Sequence, residues 1–335
     1  MSKKVLVTGG TGFIGSALVK TLVKNRYDVR VYDNGFRDSK HRLKMLGNEI
    51  ESIKGDIRDF HKVCQAMSGI DMVIHLACIN VTEYFYTMPD EVLYVSVKVT
   101  MNAIDACLKE GVRDFLFASS SEVYQTPPRV PTPEDVRLII PDPLNPRYSY
   151  AGGKIIGELL TLNFGQKFFN RAIVFRPHNV YGPDMGWKHV IPQFVLRMKK
   201  LSDKNKKDVI DFPIQGSGKE TRSFCYIDDF VDGLIKVIQF GKHMEIYNIG
   251  IDRETRIQDL ATKVAKYFHR TIKLIPDGIA MGGTLTRCPD ISKLRKLGYN
   301  PNVTLSKGLG ITASWYITNA QAEPSSHETY KFKTS

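Results

Sequence analysis

Apolar residues follow two alternating patterns along the first half of the chain. Short runs, Val5–Thr8, Val29–Tyr32, Met72–Leu76, Phe115–Ala118 and Ile173–Arg176, read as strands, several of them buried on both faces. Between them, Gly15–Asn25, Asp59–Met67, Val95–Glu110 and Gly152–Phe168 carry apolar positions at helical spacing. Strand–helix alternation of this kind predicts a Rossmann-type α/β fold, a doubly wound parallel sheet with helices on both faces. After Pro177 the pattern is broken by Pro183, Gly186, Pro192, Pro213, Gly216 and Gly218, and Tyr226–Gly241 and Ile257–Phe268 read as two further helices. The expected division is a sheet domain over 1–176 with contributions from about 224–248, a smaller irregular lobe over 177–318, and a polar tail over 319–335. No internal repeat or low-complexity tract is visible.

The first strand runs into Gly9, Gly12 and Gly15, spaced G-x-x-G-x-x-G, and then into a helix. Gly9 or Gly10 makes the turn, Gly12 lets backbone approach a phosphate, and Gly15 permits close helix packing. Backbone N–H groups around Phe13 and Ile14, with the positive end of the helix, suit a dinucleotide pyrophosphate. Asp33 ends the second strand 18 residues after Gly15, where a carboxylate can accept both hydroxyls of an adenosine ribose and repel a 2′-phosphate. This favours NAD over NADP, with Arg37 the one nearby residue that points the other way. Asn34 follows at the same edge, Asp56 and Ile57 are placed for the adenine, and Leu76 and Ala77 for the pyrophosphate and nicotinamide ribose. The first domain is thus an NAD-binding domain, and the second is mainly for substrate.

Composition narrows the setting. The 335 residues are 42% hydrophobic, enough for a large core. A mean hydropathy of −0.21 without an apolar run near twenty residues predicts no membrane span. Met1-Ser2-Lys3-Lys4 leads directly into a strand, which reads as a cytoplasmic protein without a signal peptide. Five scattered cysteines (Cys64, Cys78, Cys107, Cys225, Cys288) read as reduced thiols, with no disulfide or metal spacing. The net charge is +12, but its densest group, Lys199, Lys200, Lys204, Lys206 and Lys207, reads as a solvated helix end and loop. No clustered basic and aromatic face suggests a nucleic-acid partner. A positive field does draw in anionic small molecules.

Tyr150 and Lys154 stand four residues apart on one helix face, a phenol beside an ammonium. Together with the glycine turn they describe a proton-transfer group beside a dinucleotide. These segments, with Gly55-Asp56-Ile57-Arg58-Asp59, Ala118-Ser119-Ser120-Ser121-Glu122-Val123-Tyr124, Arg176-Pro177-His178-Asn179-Val180-Tyr181-Gly182-Pro183, Thr221-Arg222-Ser223-Phe224 and Arg287-Cys288-Pro289-Asp290, resemble the extended short-chain dehydrogenase/reductase family. The resemblance is to its NAD-dependent nucleotide-sugar epimerases, dehydratases and decarboxylases, and it runs from Val5 to about Trp315. It implies that Tyr150 is the acid/base at the sugar 4-hydroxyl, that Lys154 holds the nicotinamide ribose and supports the phenolate, and that Ser120 hydrogen-bonds O4. It also implies a substrate set of Ser121, Asn179, Ile191, Gln193, Arg222 and Arg287, with the two arginines on the diphosphate. The helices at Val95–Glu110 and Gly152–Phe168 resemble the family's dimer-forming pair, so a homodimer is expected. The chain departs from the usual pattern at Ser96, at Gln125, where glycine is typical, and at His178.

All members of the group begin by oxidising C4 of a nucleotide-diphosphate sugar. An epimerase then returns hydride to the other face of the 4-keto sugar, a 4,6-dehydratase needs a further acid/base, and a decarboxylase needs a C6 carboxylate. Glu122 sits where dehydratases and decarboxylases of the family place a working glutamate. Arg147, three residues before Tyr150, resembles a pattern of UDP-glucuronate decarboxylases. Serine at 120 leans toward the epimerases, and epimerisation is placed narrowly first, ahead of dehydration through Glu122 and then decarboxylation. An NADPH-dependent reductase would share Tyr150 and Lys154 but is disfavoured by Asp33.

Overall fold

Leu6 and its neighbours Val5 and Val7 point to opposite faces of a strand, and all three side chains are fully buried, so both faces of the sheet must be covered. In the computed structural model, which describes residues 2–36, 39–204, 208–278 and 283–323, seven strands form that sheet. They are β1 (Lys4–Thr8), β2 (Asp28–Asp33), β3 (Ile50–Lys54), β4 (Met72–His75), β5 (Asp114–Ala118), β6 (Arg171–Pro177) and β7 (Glu245–Ile249). All pair in parallel, in the order β7-β6-β5-β4-β1-β2-β3. The order reverses at β1, which lies between β2 and β4, and an open α/β sheet offers its crevice at such a point.

Among the described residues the α-helices of eight residues or more are α1 (Phe13–Lys24), α2 (Phe60–Met67), α3 (Pro89–Glu110), α4 (Tyr148–Phe168), α5 (Val190–Lys204), α6 (Ile227–Phe240), α7 (Ile257–Tyr267) and α8 (Leu305–Thr318). One apolar core joins Val5, Val7 and Val31 to Leu18, Val19 and Leu22 of α1 and to α6. The other joins Leu6, Val73 and Phe117 to Val63 of α2 and to Val95, Val99 and Ala103 of α3. The third helix begins at Pro89 rather than Val95, since a proline is accommodated in a first helical turn, and it stops at Gly111 in the left-handed conformation. On α4, a Cβ at Gly153 would lie 2.7 Å from Ser96, and one at Gly157 would lie 2.2 Å from the Phe117 ring. These glycines let α4 sit close against α3 and the sheet. Serine at 96 is the small partner of that approach.

Beyond Pro177 the chain alternates between the sheet and smaller pieces. Val180–Tyr181 pairs with Cys225–Tyr226, and Val209–Gln215 pairs with Thr271–Asp277. Thr221–Arg222 is flanked by Thr255–Arg256 and Thr286–Arg287, which sets Arg222 and Arg287 side by side. The expected helices at Tyr226–Gly241 and Ile257–Phe268 are α6 and α7. All five cysteines are free thiols, four buried and Cys78 half-buried. Among the described residues no helix is long and apolar enough to cross a membrane. Arg37, Lys206, Lys207 and the tail from residue 324 lie outside the described residues.

Candidate functional site

A cavity of about 380 Å³ opens at the carboxyl ends of the strands, where the sheet order reverses. Its floor is the turn between β1 and α1. Gly9 has φ +70°, and a Cβ there would lie 2.9 Å from the Ala77 backbone nitrogen. A Cβ on Gly15 would lie 2.2 Å from the Gly9 carbonyl oxygen, so only hydrogen fits between turn and helix. Gly12 caps α1 without a side chain, which leaves the first N–H groups of the helix open to an anion. At the tip of β2 the Asp33 carboxylate accepts from Thr11 N–H at 3.0 Å and Gly35 N–H at 2.8 Å. Asp56 is gripped by Arg58, with Nη2 at 2.8 Å. Burial opposes the ionisation of Asp56, but the bonds from Arg58 outweigh it and hold the carboxyl below its ordinary range.

The far wall comes from β5 and α4. Lys154 is buried, and its Nζ donates to the Ala118 carbonyl at 2.7 Å while standing 5.8 Å from the centre of the Tyr150 ring. Phe85, on the short helix Tyr84–Thr87, stacks on Tyr150 with ring centres 4.8 Å apart. Ser120 caps the short turn Ser121–Tyr124, and its Oγ accepts the Glu122 N–H at 3.1 Å, which leaves the hydroxyl proton for another acceptor. Ser119, by contrast, donates to Glu158 and is tied into the buried polar network behind the site.

Glu122 faces cations. Arg287 Nη1 donates to its Oε1 at 2.6 Å, and Arg147 Nη2 stands 3.6 Å away. Burial favours the neutral acid, yet the charges of Arg287 and Arg147 prevail and lower its pKa. Arg222 belongs to the same charge cluster: burial, with the neighbouring Arg287, brings its pKa down to about 10. Arg287 lines the cavity, and Arg147 and Arg222 stand beside it, so guanidiniums outnumber the one carboxylate around Glu122. Asn179 Nδ2 and the Nε atoms of Arg147 and Arg287 are buried without a hydrogen-bond partner among the described residues, a condition a bound ligand would relieve.

Gly9, Gly12, Phe13, Ile14, Gly15, Asp33, Asn34, Asp56, Ile57, Leu76, Ala77, Ser120, Ser121, Glu122, Tyr150, Lys154, Asn179 and Arg287 all line this one cavity. Ile191, Gln193 and Arg222 do not. Ile191 is packed in the apolar core, Gln193 is exposed on α5, and the Arg222 guanidinium donates to the carbonyls of Thr221 and Thr284. His189, just before α5, does line the cavity. Phe85 was missed by sequence reasoning. Its only signal was the aromatic run Tyr84-Phe85-Tyr86 in a polar stretch. Glu158 was missed too, although it continues the Tyr150–Lys154 face by one more turn.

Residues 5–250 match the model of the NAD dependent epimerase/dehydratase family. The chain belongs to that family. Its cofactor is NAD, and the glycine floor, which a single Cβ would fill, fits that group. This family member is 33% identical over 331 residues to the UDP-N-acetyl-alpha-D-glucosaminuronate decarboxylase of Bacillus cytotoxicus, covering 94% of this chain and 98% of the relative. Its fold matches the dTDP-glucose 4,6-dehydratase of Streptomyces venezuelae, solved with NAD and TYD bound, with a TM-score of 0.83, 26% identity and coverage of 95% and 98% of the two chains. It also matches the UDP-glucose 4-epimerase of Thermotoga maritima, solved with UDP-glucose, with a TM-score of 0.82, 25% identity and coverage of 95% and 99%. The family member is therefore an enzyme acting on nucleotide sugars. The three relatives are a decarboxylase, a dehydratase and an epimerase.

Proposed function

We propose that the enzyme decarboxylates a nucleotide-linked hexuronic acid through a 4-keto intermediate, working as a homodimer. The observation that carries this reading is the placement of Glu122 between Arg287 and Arg147, one residue beyond the serine turn. A 4-epimerase would use these arginines only for the diphosphate, and Arg287 is instead turned to Glu122. A 4,6-dehydratase of the Asp-Glu type needs an acid beside Glu122, and the neighbour here is Ser121, which leaves the Ser-Glu pair of GDP-mannose dehydratases as the dehydratase alternative. A uronate brings its own carboxylate, and a surplus of buried and half-buried guanidinium charge suits it. The Bacillus cytotoxicus relative supports the same choice. Serine at 120 leans toward epimerisation in the sequence, but as a donor to O4 it serves all three reactions equally.

In this reading the Tyr150 phenolate removes the O4 proton, Lys154 holds the ribose and the charge balance, and Ser120 donates its free proton to O4. NAD, when bound, supplies the acceptor and later the donor of the C4 hydrogen. Arg147 and Arg287, oriented by Glu122, hold the C6 carboxylate, and the ketone at C4 stands β to it. The C5–C6 electron pair then passes toward the ketone oxygen as carbon dioxide leaves, with Ser120 and protonated Tyr150 stabilising the enolate; a solvent proton then goes to C5, and Tyr150 returns its proton to O4 as the hydrogen returns to C4. Asn179, with its unpaired amide N–H, contacts the diphosphate or the sugar.

The test is product mass after incubation with UDP-glucuronate, UDP-N-acetylglucosaminuronate, UDP-glucose and dTDP-glucose. Loss of carbon dioxide from a uronate is expected. Loss of water from a hexose, or a new isomer of unchanged mass, would replace this reading with dehydration or epimerisation.

A further inference from the structure

Gln125 ends the short turn that carries Glu122, and its backbone stands at φ 48° and ψ −106°. That pair lies outside the small left-handed basin open to L-residues and matches the type II′ turn position that glycine dominates. The side chain is buried, and its Nε2 donates to the Glu122 carbonyl at 2.6 Å, beside the longer bond of 3.4 Å from the Gln125 backbone N–H. On its other side Glu122 donates its N–H to Ser120 Oγ. The residue is pinned at both its N–H and its carbonyl, and its carboxylate reaches Arg287. Backbone strain at a functional site persists where the surroundings make use of it. Here the use is the amide, which glycine lacks.

We propose that Gln125 is a positioning residue: its side-chain amide fixes the main chain of Glu122 so that the carboxylate meets Arg287 in the cavity and Arg147 beside it. The inference rests on Glu122 working in the reaction, as in the reading above. The turn has a second anchor in Tyr124, whose hydroxyl donates to Asn248 at 2.7 Å and accepts from Arg176 at 2.7 Å. Removing the Gln125 side chain therefore keeps the turn folded but releases the Glu122 carbonyl from its amide anchor.

The test compares Gln125→Gly, Gln125→Ala, Glu122→Gln and Glu122→Gln/Gln125→Gly, each as full chain, on whichever sugar nucleotide of the panel above is turned over. Gln125→Gly is expected to melt no lower than the wild type, because glycine adopts the conformation freely, yet to lose about tenfold or more in kcat with KM within about twofold. Gln125→Ala keeps the strained Cβ without the amide, and should be both slow and less stable. In the Glu122→Gln background the Gln125→Gly change should cost nothing further, since contacting residues acting through one group are non-additive. Native turnover in Gln125→Gly, a parallel loss of melting temperature and rate, or additive losses would overturn the inference alone. A Glu122→Gln enzyme with native turnover, or no turnover across the panel, would remove the reading of the site and this inference with it.

Discussion

Glu158→Gln tests how much the buried network behind the active turn contributes to stability. Glu158 stands one turn beyond Lys154 on α4, and the side chains of Arg176 and Glu158 are only 2% and 4% exposed. Arg176 donates to both carboxylate oxygens, at 2.8 and 2.6 Å, and the Ser119 hydroxyl takes a third bond. Its Nη1 also reaches the Tyr124 hydroxyl at 2.7 Å and the Glu134 carbonyl at 3.0 Å. The amide keeps the shape of Glu158 but leaves the guanidinium buried without an anion and turns one N–H₂ toward a donor. Breaking such a pair from one side costs about 3–5 kcal/mol. An unfolding entropy of about 2.1 cal/mol/K per residue gives about 0.7 kcal/mol/K for 335 residues, so the melting temperature should fall by about 4–7 °C. Scanning calorimetry at neutral pH reads this directly. The double variant Glu158→Gln/Arg176→Met removes the stranded charge and should recover part of the loss. A single variant melting within about 1 °C of wild type, or a double variant losing as much again, would refute the argument that the cost lies in the uncompensated cation.

Gly15→Ala would push a Cβ to 2.2 Å from the Gly9 carbonyl and 2.8 Å from Gly10 Cα, backbone contacts that cannot yield, so NAD affinity measured by calorimetric titration should drop about tenfold or more; native affinity would show that the turn is not the cofactor floor. His75 and His178 are buried, and burial lowers both pKa values from 6.5 to about 3, so the unfolded chain binds more protons between those values. Stability is therefore full above pH 6.5 and is lost as pH falls toward 3, by about 2 kcal/mol per histidine at pH 5. The melting temperature should drop by about 6 °C from pH 7 to 5 on account of the pair, with His178→Gln halving that slope; an unchanged slope in the variant contradicts the assignment. Tyr94, Leu159 and Met101 are 57%, 56% and 44% exposed on α3 and α4, and burying them between two copies is what the homodimer would do. Light scattering should give twice 37.9 kDa for the wild type and a smaller mass for Tyr94→Glu/Leu159→Glu, and a wild-type monomer at micromolar concentration would exclude the dimer.

What could be read from the sequence was local. Strands β1, β4 and β5 are buried almost throughout, so their apolar runs are continuous and their period is not needed to find them. β3 is an edge strand, Ile-Glu-Ser-Ile-Lys, with Glu51, Ser52 and Lys54 exposed, and its apolar spacing of three matches neither strand nor core. β7 is interrupted by Asn248, a fully buried polar residue whose amide serves Tyr124, Thr132 and His178 across the fold. α5 was hidden by Pro192, which a first turn tolerates, and α8 by Gly308, whose hydrogen is required by the Tyr181 hydroxyl, 2.2 Å from where a Cβ would stand. The same division runs through the site. The glycine turn and the Tyr150–Lys154 pair are spaced within one element, and periodicity finds them. Arg287 was expected at a diphosphate, yet it meets Glu122 across a separation of 165 residues, through a two-residue strand pairing that no pattern in the chain announces. In the proposed reading, C4 oxidation uses Ser120 at the turn after β5 and one face of α4. In that reading the later step depends on Arg287, brought to Glu122 by a distant strand pairing, and on Arg147 at the start of α4, so a substitution at either should alter what becomes of the 4-keto sugar more than whether it forms.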